Sequence, residues 1–214
     1  MKKIRGIILA AGRGSRMKKL TQNHPKCMIK FKGKELIKYQ IHAFKKAGID
    51  DIAIVTGYKR EQLEQYNLKE FYNDKWHKTN MVRSLMCAGD WLKKYRCIIS
   101  YSDIIFNYNA INLLAKSKHK LCLTFDPNWL QIWKLRFENP LDDAESFIID
   151  ENQNILDIGK KPTSINEIMG QYMGLLKLTP SSWKVLSNFL LKTKEYKIDN
   201  MYLTDLLQGI ILSS

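Results

Sequence analysis

Residues 7–28 read IILAAGRGSRMKKLTQNHPKCM, and this stretch decides how the rest of the chain is interpreted. The apolar run at residues 4–11 predicts a buried first strand that ends at Gly12. Glycine has no Cβ, so Gly12 and Gly14 let the backbone come close to a ligand and turn its amides towards phosphate oxygens. Positive charge comes from Arg13, Arg16 and Lys26. The stretch therefore predicts a loop that binds a triphosphate.

Two other glycine loops do not match this stretch. The dinucleotide-binding fingerprint has a third glycine where Met17 stands, and the Gly-Lys-Ser or Gly-Lys-Thr ending of a Walker loop is absent. A G-x-G pair alone also occurs in turns that end a strand. The complete pattern L-A-A-G-x-G-S-R, with Pro25 and Lys26 further on, is more specific. It resembles the signature of nucleoside-triphosphate transferases, which make nucleotide-activated sugars and alcohols.

This resemblance implies roles for individual loop residues. In such enzymes a phosphate oxygen of the acceptor attacks the α-phosphorus of a nucleotide and expels pyrophosphate. Arg16 is then expected to hold the β- and γ-phosphates, and Lys26 to neutralise the α-phosphate and the incoming phosphate. Further nucleotide contacts are expected from Leu9, Ala10, Ala11, Gly12, Gly14 and Ser15.

Length, charge and cysteine content limit the class of protein. The 214 residues suffice for one domain with a sizeable core, and no apolar run reaches the roughly twenty residues of a transmembrane helix. The net charge is +14, but the lysines are scattered and no basic run reaches five residues, so no nucleic-acid or membrane partner is expected. Unpaired cysteines and the lack of a secretion signal predict a cytoplasmic protein. The sequence is compatible with a homodimer and does not determine the oligomeric state.

The hydrophobic pattern predicts an α/β fold. Strands are predicted at residues 4–11, 51–57, 70–73, 96–106 and 121–125. Helices are predicted between them at residues 34–48, 59–66 and 81–95. Such alternation is typical of a mostly parallel twisted sheet with helices on both faces. The family resemblance implies that this is a Rossmann-like nucleotidyltransferase fold.

The pattern changes after residue 126. Residues 146–158 predict a hairpin and residues 171–178 a further strand, followed by helices at 182–191 and 201–212. We therefore expect a single nucleotidyltransferase domain over residues 1–214, with a small antiparallel insertion at about residues 126–174. This insertion is expected to lie over the open end of the sheet and to bind the acceptor.

Asp103 is the candidate metal ligand. A carboxylate at the carboxyl end of a parallel strand faces the ligand crevice and suits Mg²⁺. A helix or turn cap is the alternative role. The family resemblance favours the metal, because the family's metal-binding aspartate ends the equivalent strand. Mg²⁺ is thus the expected cofactor, held on Asp103 and bridging the phosphate oxygens of the substrate.

Asn80 and Ser84 are candidates for contacts with the base. They belong to the segment N-M-V-R-S, which opens a predicted helix, and a cap with a polar face is the simpler interpretation. In cytidylyltransferases of this type the matching N-x-x-x-S segment lies beside the base. The resemblance therefore implies that Asn80 and Ser84 recognise cytosine.

Residues 126–174 contain the candidate acceptor site. The motifs N-P-L-D-D-A-E, I-G-K-K-P and G-Q-Y-M-G resemble the bacterial group of phosphocholine cytidylyltransferase-like enzymes, which includes enzymes acting on phosphoglutamine. Aromatic rings and carboxylates suit an ammonium group, and basic side chains suit a carboxylate. Alternatively, the tryptophans form a core stripe and the acidic run a solvated loop. The candidate acceptor residues are Trp129, Trp133, Arg136, Glu145, Lys160 and Tyr172.

The chain departs from the family pattern in one respect. Family members usually continue to a final strand with a second metal-binding aspartate in a W-x-E-I-D-like motif, whereas this sequence stops at Ser214. Either the chain is truncated, or Asp103, triphosphate and water hold the metal, with Asp205 as a further candidate. The expected substrates are CTP and a small phosphorylated acceptor. A sugar-1-phosphate nucleotidyltransferase and a catalytically impaired nucleotide-binding homologue are the alternatives.

Overall fold

The structure is a computed structural model that describes residues 3–213. Its centre is a six-stranded sheet with the strand order β5-β4-β1-β6-β10-β7. The strands of this sheet are β1 (Ile4–Ala10), β4 (Ile52–Thr56), β5 (Lys69–Tyr72), β6 (Arg96–Tyr101), β7 (Leu121–Asp126) and β10 (Gln171–Leu178). Two short antiparallel pairs lie outside it, formed by β2 (Lys30–Phe31) with β3 (Lys34–Glu35) and β8 (Phe147–Ile149) with β9 (Ile155–Ile158).

Strand β1 is central because its side chains are apolar on both faces. Ile7 and Leu9 pack into one core cluster, and Ile8 and Ala10 pack into the other, as alternation along a strand requires. The strand pairs in parallel with β4 on one side and β6 on the other. Parallel pairing places the carboxyl ends of all three strands at the same sheet edge, where α/β folds bind ligands.

Helices cover both faces of the sheet. One face carries α1 (Leu36–Lys46) and α4 (Tyr108–Lys116), whose buried residues belong to one core cluster. The other face carries α2 (Met81–Cys87), α3 (Gly89–Lys94), α6 (Pro180–Leu191), α7 (Glu195–Asn200) and α8 (Leu203–Ile211). The remaining helix, α5 (Trp129–Arg136), follows β7. None of the helices within residues 3–213 has the length and apolar character that crossing a membrane requires.

The predicted α/β fold is confirmed, and the structure corrects several details. Residues 81–95 form two helices that meet at Ala88, and residues 60–66 form a 3₁₀ helix. The strand predicted at 96–106 ends at Tyr101, so Asp103 lies in the turn beyond it. The strand at residues 171–178 belongs to the central sheet, where it pairs antiparallel with both β6 and β7.

The segment between β7 and β10 consists of α5, two 3₁₀ turns (Pro140–Asp142 and Ile165–Glu167) and the predicted β8–β9 hairpin. The hairpin packs on the core, where Phe147 stacks on Phe125 with ring centroids 5.0 Å apart. Ile158 donates its backbone N–H to the side chain of Gln208 in α8 over 2.8 Å. The hairpin is therefore fixed to both the sheet and the last helix.

Candidate active site

The loop after β1 is shaped by a close approach between Gly14 and Lys26. Gly14 has φ +71°, and a Cβ at this position would lie 2.8 Å from Cδ of Lys26. Only glycine allows both the left-handed backbone and this approach. The buried Thr21 donates its hydroxyl to the carbonyl oxygen of Gly14 over 3.0 Å and closes the turn. No sequence pattern indicated a role for Thr21, which lies in a polar part of the loop.

The structure brings Lys26 and Asp103 together. The ammonium of Lys26 donates to the carboxylate of Asp103 in an ion pair. Asp103 follows β6 and the loop follows β1, so parallel pairing of these strands puts both side chains at one sheet edge. The side chains are 30% and 33% exposed, which leaves both accessible to a ligand.

Arg16 and Ser15 lie in the same loop, on the 3₁₀ segment Ser15–Thr21, and both are exposed. Arg16 makes no ion pair with any residue of the described chain. Its charge is thus available to an anionic ligand at this edge. Arg13 lies beside it, with its guanidinium carbon 5.6 Å from the ring centre of Tyr58.

A small cleft lies between the loop and the start of α2. Its volume is about 80 Å³. It contains five residues predicted to bind the nucleotide, and three that the sequence patterns did not indicate. The lining residues are Leu9, Ala11, Gly12, Trp76, Thr79, Asn80, Met81 and Ser84. The predicted loop and base residues therefore share one cavity wall.

Asn80 and Ser84 are held by defined hydrogen bonds. Asn80 caps α2 by accepting from the backbone N–H of Met81 over 2.9 Å. Ser84 is buried and accepts from the side-chain amide of Asn73 over 3.1 Å. The same amide of Asn73 donates to Thr79 over 3.0 Å. Asn80 therefore has the capping role that was the simpler interpretation. The hydroxyl oxygen of Ser84 keeps a second lone pair that can accept another hydrogen bond.

A second cluster lies at the same sheet edge around Tyr101, the last residue of β6. Its ring meets that of Tyr172 edge to face, with centroids 5.7 Å apart. Burial raises the pKa values of Tyr101 and Tyr172 above their ordinary range, and the carboxylates of Glu145 and Asp103 add to the effect on Tyr101. Both phenols are therefore neutral hydrogen-bonding groups at neutral pH. Tyr172 thus packs against the strand end that leads into the Asp103 turn.

Glu145 is tied to the start of β10. Its backbone N–H donates to the side chain of Gln171 over 3.2 Å, and the amide of Gln171 donates back to the Glu145 carbonyl oxygen over 2.6 Å. Burial raises the pKa of the Glu145 carboxyl, and the nearby carboxylates of Asp205 and Asp143 act in the same direction, against an opposing effect of the Thr204 hydroxyl. An ammonium group bound here would relieve the desolvated charge.

The two tryptophans of α5 differ in environment. Trp129 is 3% exposed, donates its indole N–H to the carbonyl oxygen of Ile168 over 3.2 Å, and belongs to a small core with Ala144. Its ring is therefore part of the supporting core, which corrects the expectation that it presents a face to the acceptor. Trp133 is partly exposed, and its indole nitrogen is buried without a hydrogen-bond partner among residues 3–213.

The predicted basic residues lie on the surface of the same segment. Arg136 is 53% exposed, lies 5.1 Å from the ring centre of Trp133, and is 3.9 Å from the carboxylate of Asp143. Lys160 pairs with Asp157 within the β8–β9 hairpin. Both cations are more than half exposed, so either can exchange its carboxylate partner for an anionic ligand.

Few of the described side chains could serve as ligands of a divalent metal. Within residues 3–213 no three His, Cys, Asp or Glu side chains are grouped as metal ligands. Asp205 caps α8, because its carboxylate accepts from the backbone N–H of Tyr202 over 2.8 Å. Of the two candidate aspartates, Asp103 is therefore the one placed beside the phosphate loop, where it pairs with Lys26. One carboxylate fits a cation that takes its other ligands from substrate phosphates and water, as Mg²⁺ commonly does.

Comparison with known proteins identifies relatives of this chain. Residues 6–129 match the family model of the MobA-like NTP transferase domain. The chain is 39% identical to the CTP:phosphoglutamine cytidylyltransferase of Campylobacter jejuni, over 96% of this chain and 87% of that protein. It is 42% identical to the choline-phosphate cytidylyltransferase of Streptococcus pneumoniae, over 54% of this chain and 52% of that protein.

The fold is similar to that of solved nucleotidyltransferases. The CTP:phosphocholine cytidylyltransferase of Streptococcus pneumoniae superimposes with a TM-score of 0.73 at 22% identity, covering 99% of this chain and 87% of that one. The inositol-1-phosphate CTP transferase of T. maritima gives a TM-score of 0.77 at 20% identity, covering 100% of this chain and 83% of that one. The predicted Rossmann-like nucleotidyltransferase fold is thereby confirmed, and the chain belongs to the MobA-like NTP transferase family.

Proposed function

We propose that this protein is a cytidylyltransferase that transfers CMP from CTP to a small phosphorylated acceptor and releases pyrophosphate. The observation that carries the proposal is the Lys26–Asp103 pair, which lies at the carboxyl ends of β1 and β6 beside the glycine loop. The relatives that act on CTP with a phosphorylated partner support it. We also propose that the protein is located in the cytoplasm. Its product would serve to decorate a cell-surface polysaccharide.

The reaction needs positioning and charge neutralisation more than it needs a covalent intermediate. A phosphate oxygen of the acceptor forms a bond to the α-phosphorus of CTP. The bond from that phosphorus to the bridging oxygen breaks, and pyrophosphate leaves with the electron pair. In this scheme Lys26 neutralises the α-phosphate and the incoming phosphate, and Arg16 holds the leaving β- and γ-phosphates. The glycine loop supplies backbone amides to the same phosphates.

The cofactor we propose is Mg²⁺, held on this chain by Asp103. When bound, such a cation neutralises phosphate charge and polarises the phosphorus for attack. Lys26 keeps the Asp103 carboxylate at the sheet edge until the substrate arrives, because the two side chains are ion-paired in the ligand-free protein. The fit rests on one carboxylate, so the affinity for the free cation should be weak and should rise when CTP is present.

The acceptor we propose carries both an ammonium and a carboxylate, as phosphoglutamine does. Glu145 offers a desolvated carboxylate to the ammonium, and Tyr172 lies beside it. Arg136 offers a guanidinium to a carboxylate. Choline has no carboxylate to pair with Arg136, so we favour a phosphorylated amino-acid amide over phosphocholine. The 39% identity with a phosphoglutamine enzyme over most of both chains supports this choice.

Pyrophosphate release tests the proposal. The purified protein is incubated with Mg²⁺, one of CTP, UTP, dTTP or ATP, and one of phosphoglutamine, phosphocholine or a sugar 1-phosphate. We expect release with CTP and phosphoglutamine. Use of UTP or dTTP with the sugar phosphate would establish the sugar-1-phosphate nucleotidyltransferase instead. CTP binding without release from any acceptor would identify a catalytically impaired homologue.

A further inference from the structure

The segment that follows β4 contacts the phosphate loop at both ends. Tyr58 donates its backbone N–H to the carbonyl oxygen of Ala11 over 2.9 Å, where the loop begins. Its hydroxyl donates to the carbonyl oxygen of Gln22 over 2.6 Å, directly after the 3₁₀ segment of the loop. One residue outside the loop therefore fixes the distance between the two ends of the loop.

The ring of Tyr58 contacts both binding regions. Its face lies 5.6 Å from the guanidinium carbon of Arg13, and its ring centre is 5.2 Å from that of Trp76, which lines the base cleft. A Cβ at Gly57 would lie 2.6 Å from the carbonyl oxygen of Ala11 and 2.5 Å from Cβ of Trp76. The absence of a side chain at residue 57 thus allows the loop, Tyr58 and Trp76 to pack together.

Two neighbours of Tyr58 strengthen the same attachment. The ammonium of Lys59 and the side-chain amide of Gln62 both donate to the carbonyl oxygen of Asn23, over 3.2 and 2.9 Å. These side chains come from the turn and the 3₁₀ helix after β4, and their shared acceptor lies next to Gln22. The returning end of the loop is therefore held by three side-chain hydrogen bonds from one segment.

We infer that Tyr58 is a positioning residue that holds the phosphate loop in its binding conformation and couples the loop to the wall of the base cleft. This role rests on the proposed function, because positioning matters only if the loop binds triphosphate. The loop carries the exposed cations Arg13 and Arg16. A loop without these attachments would lose conformational entropy when a ligand ordered it. Attachment at both ends removes part of that loss before the ligand binds.

Two variants separate this role from ordinary packing. Tyr58→Phe removes only the hydroxyl bond to Gln22, and Tyr58→Leu also removes the contacts with Arg13 and Trp76. Tyr196→Leu is the matched control, because Tyr196 is 61% exposed and its side chain makes no hydrogen bond or ring contact within residues 3–213. The readouts are KM and kcat for CTP, the melting temperature, and the rate of trypsin cleavage within the loop.

For Tyr58→Phe we expect KM for CTP to rise about 3- to 10-fold, the effect of one lost hydrogen bond, with kcat and melting temperature little changed. For Tyr58→Leu we expect a larger rise in KM and faster cleavage after Arg13 and Arg16. The control should match the wild type in every readout. A residue that only packs would lower the melting temperature and leave KM unchanged, and that result would overturn the inference.

Loop cleavage keeps this test separate from the proposed function. If the wild type bound CTP but released no pyrophosphate, and Tyr58→Leu weakened CTP binding and exposed the loop to trypsin below the melting temperature, the positioning role would stand and the cytidylyltransferase proposal would fail. If CTP turnover were normal in both variants and loop cleavage were unchanged, the proposed function would stand and the positioning role would be wrong.

Discussion

The ammonium of Lys26 is ion-paired with the carboxylate of Asp103, a residue 77 positions further along the chain. The pair keeps two opposite charges over the end of the sheet in the free protein. In the proposed reaction a phosphate would pair with Lys26 and the cation with Asp103, so a triphosphate with its cation would satisfy both partners at once. Both side chains are partly exposed, so their mutual attraction contributes no more than about 1 kcal/mol and is readily exchanged for these ligands.

Replacing Lys26 by alanine should lower kcat about 10²- to 10³-fold, because a charge contact made to the transition state is lost. The fold should stay intact, since the side chain contributes little to the core. Lys45→Ala is the matched control, because Lys45 is exposed on α1, away from this edge. Steady-state kinetics with CTP measures the effect. Near wild-type turnover in Lys26→Ala would show that the phosphate contact has been assigned to the wrong residue.

Asp103→Asn should abolish metal-dependent activity while the melting temperature stays close to that of the wild type. The substitution keeps the shape of the side chain and removes the charge that a hard cation requires. Activity is measured as a function of Mg²⁺ concentration, and unfolding is followed in parallel. If the variant unfolds and the surviving fraction keeps its metal dependence, Asp103 caps a turn and does not hold the cation.

Ser84→Ala should reduce the preference for CTP over UTP about tenfold, measured as the ratio of the two kcat/KM values. The Ser84 hydroxyl already accepts from Asn73, and its second lone pair can accept from the exocyclic amine of cytosine. Uracil has a carbonyl at that position, which cannot donate to this lone pair. Ser187→Ala on α6 is the control, because it also removes one hydroxyl. Equal use of both nucleotides by the wild type would contradict the assignment.

Much of this architecture is predictable from local sequence, and part of it is not. The uninterrupted apolar run of Ile7, Ile8, Leu9 and Ala10 specifies a strand buried on both faces, and the glycines after it specify a loop. The place of β10 between β6 and β7 depends on pairing with distant strands, so periodicity alone could not locate it. Likewise, two tryptophans four residues apart suit a core and an aromatic site equally well. Only the burial of Trp129 distinguishes these roles.

The residues that contact the predicted site residues could not be predicted from the sequence either. Tyr58, Trp76 and Thr21 touch the loop or the base cleft, yet none belongs to a motif that indicates phosphate chemistry. Their contacts come from segments that meet only in the folded chain. The residues that bear charge were therefore predictable, whereas those that hold them in place were not.

Glu145→Gln should stabilise the protein at neutral pH and lose that advantage in acid. Burial raises the native pKa of Glu145 above its usual value of 4.5, so the native state binds a proton more tightly than the unfolded state does. Stability then falls as the pH rises from 4.5 through the raised native pKa. A neutral glutamine has no charge to desolvate, so the variant does not lose stability over this pH range. The difference in melting temperature between variant and wild type should grow across this window and be constant above it.

The control for Glu145→Gln is Glu64→Gln, because Glu64 is exposed and forms no ion pair within residues 3–213. Its melting temperature should follow the wild type at every pH. The gain in stability at Glu145 should be accompanied by poorer use of an acceptor that carries an ammonium group, since the paired carboxylate is gone. A difference in melting temperature that does not vary with pH would show that the Glu145 carboxyl is as well solvated as an exposed one.

Arg136→Ala should raise KM for phosphoglutamine about 10- to 100-fold and leave the use of phosphocholine unchanged, because only phosphoglutamine has a carboxylate to accept from the guanidinium. Arg136 is 53% exposed and its guanidinium lies 3.9 Å from the carboxylate of Asp143, so this weak ion pair is easily replaced by one with a substrate carboxylate. Lys134→Ala removes a positive charge from the same exposed helix and should change neither acceptor. Steady-state kinetics on both acceptors decides the outcome. If phosphocholine is the better substrate of the wild type and Arg136→Ala leaves both KM values unchanged, the acceptor is bound by its ammonium alone, at Glu145 and the rings of Trp133 and Tyr172.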